Sequence, residues 1–163
     1  MTPKHLKASD DRRKARIGCD PGFTGGLAAL TPDGKFISGI RTPIFKSGNR
    51  KLIDGNALDN WAADFEIEHV TIEAPNSMPR QGLQSTFNFG RACGAVECWA
   101  VTIGCPVTLV TPSVWKRALN LSSDKQASLD KARLIFGVNE LWSVKANEGI
   151  AEAALIATWE MYR

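Results

Sequence analysis

Two short apolar runs in this chain each end on a carboxylate and break at once into a turn. Arg16-Ile17-Gly18-Cys19-Asp20 passes directly into Pro21-Gly22-Phe23-Thr24-Gly25-Gly26, and His69-Val70-Thr71-Ile72-Glu73 passes into Ala74-Pro75-Asn76. Short apolar runs bounded by Gly and Pro read as buried strands, so Asp20 and Glu73 stand at strand ends. Two further acids, Glu148 and Glu152, lie four residues apart in a C-terminal segment with helical character. Residues at i and i+4 are neighbours on one helix face. Glu152 is embedded in Ile150-Ala151-Glu152-Ala153-Ala154-Leu155-Ile156-Ala157. A charge in such surroundings is costly unless it is paired or metal-bound.

Taken alone, Asp20 before Pro-Gly would pass as a turn residue, and Glu148 as part of a solvated face. Two acids at strand ends and two on one helix face, however, are able to meet at a single point. Four carboxylates crowd together only if cations neutralise them, and hard oxygen ligands suit Mg²⁺ or Mn²⁺. Two such ions, roughly 4 Å apart, are a device for in-line phosphoryl displacement. The carboxylate pattern points to a metal-dependent nuclease.

At 163 residues, 44% of them hydrophobic and 23% charged, the sequence fits one soluble globular domain with a full core. No apolar run approaches the roughly 18 residues of a membrane span, and no N-terminal apolar block resembles a signal peptide. The expected location is cytoplasmic, with no membrane partner. Residues 1–16 carry six basic residues against two acidic ones, whereas the remainder holds 14 basic and 15 acidic residues. That asymmetry predicts a flexible basic arm over 1–16, either touching nucleic-acid backbone or merely solubilising, ahead of a domain over 17–163. Cys19, Cys93, Cys98 and Cys105 form no CxxC pair, and His5 and His69 are not spaced for zinc. They read as buried free thiols.

The expected elements begin with three strands in hairpin order: Arg16–Asp20, Gly25–Thr31 and Lys35–Arg41, the last two joined by Pro32-Asp33-Gly34. Thr42–Gly55 reads as a loop, Asn56–Glu66 as a helix and His69–Glu73 as the fourth strand. A polar loop over Asn76–Gln84 leads to a helix over Ser85–Val101, and Pro106–Val110 is the fifth strand. Thr111 is the expected N-cap and Pro112 the first residue of a helix ending near Leu121. Helices over Ser123–Phe136 and Asn147–Tyr162 complete the chain. This order is that of the α/β ribonuclease H-like fold, a five-stranded mixed sheet flanked by helices.

The chain resembles the RuvC-type Holliday junction resolvases, in particular phage-borne and organelle-like members, over roughly residues 16–160. The resemblance is carried by Gly18-Cys19-Asp20-Pro21-Gly22 with Gly25-Gly26, Ile72-Glu73-Ala74-Pro75, Thr111-Pro112-Ser113-Val114-Trp115-Lys116, Asp124-Lys125 and Gly149-Ile150-Ala151-Glu152-Ala153-Ala154-Leu155-Ile156-Ala157. It implies that Asp20, Glu73, Glu148 and Glu152 hold two Mg²⁺ ions, with Mn²⁺ as substitute. Lys116 would stabilise charge at the scissile phosphate, and Lys125 would serve likewise or contact DNA. Relatives often carry Asp or His in the pair before the glycine of the last motif, where this chain has Asn147-Glu148. Were Asn147 at the true acid position, the chain would be a weak nuclease or a DNA-binding module only. The implied activity is metal-dependent cleavage of four-way DNA junctions, in a cytoplasm (a host's, for a phage-borne member) or an organelle. Another nucleic acid as substrate stays open, because fold does not fix substrate.

Phe87 and Phe89 follow the polar loop after Glu73. In the family an aromatic there stacks on a base at the opened junction, although both rings also suit core positions. Arg80, Gln81 and Arg91 are candidate phosphate contacts. The five tryptophans fall at core-like helical positions. A junction is two-fold symmetric and needs two cuts, which implies a closed homodimer. The expected interface is the small-residue helix Gly90–Val101, with Trp99 adding apolar area. The glycine turn after Asp20 also occurs in sugar kinases and actin-like ATPases, but those need a second lobe that 163 residues do not provide.

Overall fold

The computed structural model describes residues 12–74, 82–122 and 124–163. Strand β1 (Arg13–Asp20) pairs antiparallel with β2 (Gly26–Leu30), and β2 pairs antiparallel with β3 (Phe36–Arg41). After a small hairpin of β4 (Ile44–Ser47) and β5 (Arg50–Ile53) comes helix α1 (Gly55–Ala62). Strand β6 (Phe65–Glu73) pairs parallel with β1, and β7 (Val107–Val110) pairs parallel with β6. The sheet order is β3-β2-β1-β6-β7, the five-stranded mixed sheet expected from the sequence. Helix α2 (Leu83–Thr102) connects β6 to β7, and α3 (Pro112–Ala118), α4 (Lys125–Phe136) and α5 (Glu148–Met161) follow.

Period-2 alternation assigns the two faces of the sheet. Ala15, Ile17 and Cys19 of β1, Leu27 and Ala29 of β2, and Val70 and Ile72 of β6 share a core with Leu58 of α1 and Val96, Trp99 and Ala100 of α2. Ala28 and Leu30 of β2 face the other way, into a core with Ile150, Ala153, Ala154 and Ala157 of α5 and Leu129 of α4. Asp20 and Glu73 have the parity of this second face. The sequence of α5 permits close approach to it: a side chain at Gly18 would collide with the backbone of Ala153 and stand 2.8 Å from the amide nitrogen of Ala157. Gly25 and Gly149 come so near that their backbones form an isolated parallel bridge.

Several boundaries differ from expectation. β1 starts at Arg13 rather than Arg16, because Arg13-Lys14-Ala15 pairs with Phe65-Glu66-Ile67 and Lys14 forms a 3.1 Å ion pair with Glu68. Residues 13–16 are therefore sheet, and the rest of the expected arm, 1–11, lies outside the described residues. The same pairing ends α1 at Ala62 and starts β6 at Phe65 instead of His69. The stretch read as a loop contains the β4–β5 hairpin, closed by Gly48-Asn49 with Gly48 at φ +56°. Thr111 and Pro112 occupy the expected N-cap and first helical positions, but the Thr111 hydroxyl caps nothing and lies 3.3 Å from the Ser113 hydroxyl. Cys19 and Cys93 are buried free thiols, whereas Cys105 is half-buried and Cys98 exposed.

Candidate active site

The parallel register of β1 and β6 pairs Gly18 with Thr71 and Cys19 with Ile72, so the next step along both strands sets Asp20 beside Glu73. Both strands end there, and α5 runs across them. Glu148 is the first residue of α5 and Glu152 lies one turn on. Burial is the largest influence on Asp20, although part of its surface reaches solvent. Together with the charges of Glu73, Glu152 and Glu148 it pushes the Asp20 carboxyl up to about 8, against the stabilising amide of Gly22. Burial likewise raises Glu73, opposed by its hydrogen bond from Trp115 and by the charge of Lys116.

The four acids thus share one electrostatic field, but their carboxylates are turned to different donors. The Trp115 indole Nε1 donates to Glu73 Oε1 at 2.8 Å. Lys116 Nζ donates to Glu152 Oε1 at 2.7 Å, and the Ser128 hydroxyl donates to the same oxygen at 3.0 Å. Among the described residues, no three His, Cys, Asp or Glu side chains stand close enough to hold one ion. Like charges repel, and Asp20, Glu73 and Glu152 each take a hydrogen bond from a donor of their own.

The lysine is placed by packing. Val110 at the end of β7 leads into α3, whose Trp115 is fully buried against Val110, Leu155 and Ile156. That anchor leaves the next residue, Lys116, over the indole, with Nζ 5.1 Å from the ring centroid. Trp115, read from sequence only as core, is also a hydrogen-bond partner of an acid. Ser128 of α4 was not singled out at all. It is a fully buried hydroxyl on a helix that also buries Leu129 and Ala132, and only its distance to Glu152 marks it.

Asn147 is buried and donates from Nδ2 to the carbonyl of Leu141 at 3.2 Å, so its side chain holds the preceding 3₁₀ turn (Glu140–Ser143). Glu148, not Asn147, is the residue whose charge acts on Asp20.

The expected DNA contacts separate from this cluster. Phe87 is 63% exposed, with the Arg91 guanidinium 5.8 Å from its ring centroid. Phe89 is half-buried and lies against Gly22. Arg80 and Gln81 lie outside the described residues, as does the side chain of Lys125. Trp99 does not face outward as expected of an interface residue. It is 7% exposed and donates its Nε1 to Asp59 at 2.9 Å, tying α2 to α1. No helix among the described residues is long and apolar enough to cross a membrane.

No protein-family model matches the sequence. The chain is 25% identical over 134 residues to the crossover junction endodeoxyribonuclease RuvC of Corynebacterium diphtheriae, covering 76% of this chain and 81% of that protein. Its fold superimposes on the Thermus thermophilus RuvC structure with a TM-score of 0.64 at 22% identity, over 91% of this chain and 94% of the other. The same protein in complex with a Holliday junction substrate matches with a TM-score of 0.66 at 23% identity, over 92% and 94%. The chain resembles RuvC in sequence and shares its fold. In this fold the acids at the ends of β1 and β6 and on α5 stand together beside the lysine of α3.

Proposed function

We propose that this chain is a metal-dependent, structure-specific endodeoxyribonuclease that resolves four-way DNA junctions by paired phosphodiester hydrolysis. The observation that carries this reading is the partly buried set of like charges, Asp20, Glu73, Glu148 and Glu152, with Asp20 raised to about 8 by burial and by the charges of its neighbours. Such a set is held together without compensation only at a cost, and divalent cations supply the compensation. The donors are all hard oxygens, which fit Mg²⁺ or Mn²⁺. The four acids would hold the ions, two per site by the RuvC resemblance. When bound, such ions supply water activation and neutralisation of charge on the departing oxygen.

The chain's own residues account for the rest. Lys116, anchored by Trp115, presents a fixed positive charge beside Glu152, where it stabilises charge developing on the phosphate. Ser128 and Trp115 orient Glu152 and Glu73. The RuvC named above has been solved with a Holliday junction, which supports branched DNA as the substrate. By the same resemblance the products carry 5′-phosphate and 3′-hydroxyl ends. Two symmetric cuts call for a homodimer, and the exposed line Gly94, Cys98 and Val101 on α2 supplies a surface for it. The rival reading, a DNA-binding module with a broken site, loses its main support because Glu148 supplies the charge that Asn147 lacks.

The test is to incubate the protein with a labelled synthetic junction in Mg²⁺ and treat the products with ligase. Symmetric nicks that reseal are expected. Equal cutting of a matched linear duplex, or ends that do not reseal, contradicts the reading.

A further inference from the structure

The β4–β5 hairpin, absent from the sequence-derived element order, stands across a groove of about 520 Å³ from the N-terminal half of α2. Asn49, Arg50 and Lys51 form one wall, and Gln84, Phe87, Asn88 and Arg91 the other. Phe23, three residues past Asp20, completes the lining. Among the described residues no acid lines the groove.

The hairpin's own register is a second observation. It sets Lys46 directly opposite Lys51, with Arg50 one position on. Like charges facing each other across strands are destabilising, and a two-stranded ribbon has little stability to spare. Lys46, Arg50, Lys51 and Arg91 form no ion pair among the described residues. A polyanion laid along the ribbon would relieve that repulsion. The opposite wall adds an exposed aromatic ring at Phe87, backed by Arg91, and side-chain amides at Gln84 and Asn88. Cations that follow phosphates beside rings that accept bases are the chemistry of single-strand binding, since a duplex keeps its base faces covered.

We propose that the β4–β5 hairpin is a clamp for an unpaired DNA strand, with the phosphates on Arg50 and Lys51 and the bases turned toward Phe87 and Phe23. The choice of DNA rests on the nuclease reading above. The clamp holds the strand beside the turn that follows Asp20.

The experiment measures fluorescence anisotropy of a labelled oligothymidylate and of a linear duplex, in EDTA so that no cleavage intervenes. The variant is Lys46→Gln/Arg50→Gln/Lys51→Gln. Single-strand affinity is expected to fall at least about tenfold, and the slope of log K against log salt to shrink by roughly 1.4, two phosphate contacts at about 0.7 each. Duplex affinity should change less than about threefold. An unchanged single-strand affinity, or an equal loss for duplex, overturns the clamp. Ultraviolet crosslinking of oligothymidylate to the wild-type chain removes any dependence on the variant's folding. Crosslinks at Phe23, Phe87 or residues 45–51 are expected, and crosslinks confined to other peptides overturn the proposal. Because both measurements read binding without catalysis, their outcome is separate from whether the chain cuts junctions.

Discussion

The acid cluster and the α2–hairpin groove share the turn after Asp20, Asp20 belonging to the first and Phe23 to the second, and they are built on opposite principles. The cluster is over-determined: Asp20 and Glu73 are fixed by strand register, Lys116 by a buried tryptophan, and Glu152 by two hydrogen bonds. Its carboxylates are concentrated and partly desolvated, with the cation Lys116 set against Glu152. The groove is loosely held, with exposed cations, an exposed ring and a short ribbon with like charges opposed. Chemistry needs groups held to fractions of an ångström, whereas recognition of a flexible strand tolerates mobility. The proposed nuclease centre and the proposed clamp divide along that difference, bond cleavage with the first region and substrate capture with the second.

Substitutions sharpen that division. Asp20→Asn, Glu73→Gln and Glu152→Gln each remove one negative charge while keeping shape. Each should abolish junction cleavage in a single-turnover assay and leave junction affinity largely intact. Cleavage within about tenfold of wild type for any of them would remove that residue from the centre. Lys116→Ala should slow single-turnover cleavage by about 10²–10³-fold, as loss of one positioned donor does. A normal rate with weakened affinity would move Lys116 to the recognition side of the comparison.

A smaller effect reverses sign. Asp20 sits at about 8 against an ordinary 3.8, so the folded chain binds more protons than the unfolded chain between those values. Stability is full below about 4 and is lost as pH rises toward about 8. Asp20→Asn should therefore raise Tm in EDTA at pH 8, by roughly 2–4 °C for each kcal/mol of burial and repulsion that it relieves in a chain of this size. Melting scans should also show a flatter pH dependence for the variant. An unchanged slope would mean that burial and the neighbouring charges do not raise Asp20. Smallest on stability, Phe87→Ala should leave Tm within about 1 °C, because the ring is mostly exposed. It should weaken junction binding about 5- to 100-fold by titration, the range that loss of one stacked base corresponds to.

The same contrast governs what could be read from the sequence. Asp20 and Glu73 were legible because a charge at the end of an apolar run violates the pattern of a buried strand. Glu152 was legible because it interrupts an apolar, alanine-rich helix. The register that brings Asp20 beside Glu73 follows from parallel pairing of those runs. Ser128 and the indole of Trp115 act on acids 24 and 42 residues away, and no local pattern announces that. The hairpin was missed because its strands are four residues long and carry charge in place of alternation, although Gly48-Asn49 is a hairpin turn signal. Trp99 looked like interface because of its small neighbours Gly94 and Ala95. Its bond to Asp59 of α1, 40 residues away, turns it inward.

The central claim is that the acids under α5 form a hydrolytic centre dependent on divalent cations. Single-turnover cleavage of a labelled four-way junction, by wild type and Asp20→Asn, with Mg²⁺ and with EDTA, tests it most directly. Cleavage by wild type in Mg²⁺, and by neither protein otherwise, is the predicted result. Cleavage that survives EDTA, or that Asp20→Asn retains in Mg²⁺, would contradict it.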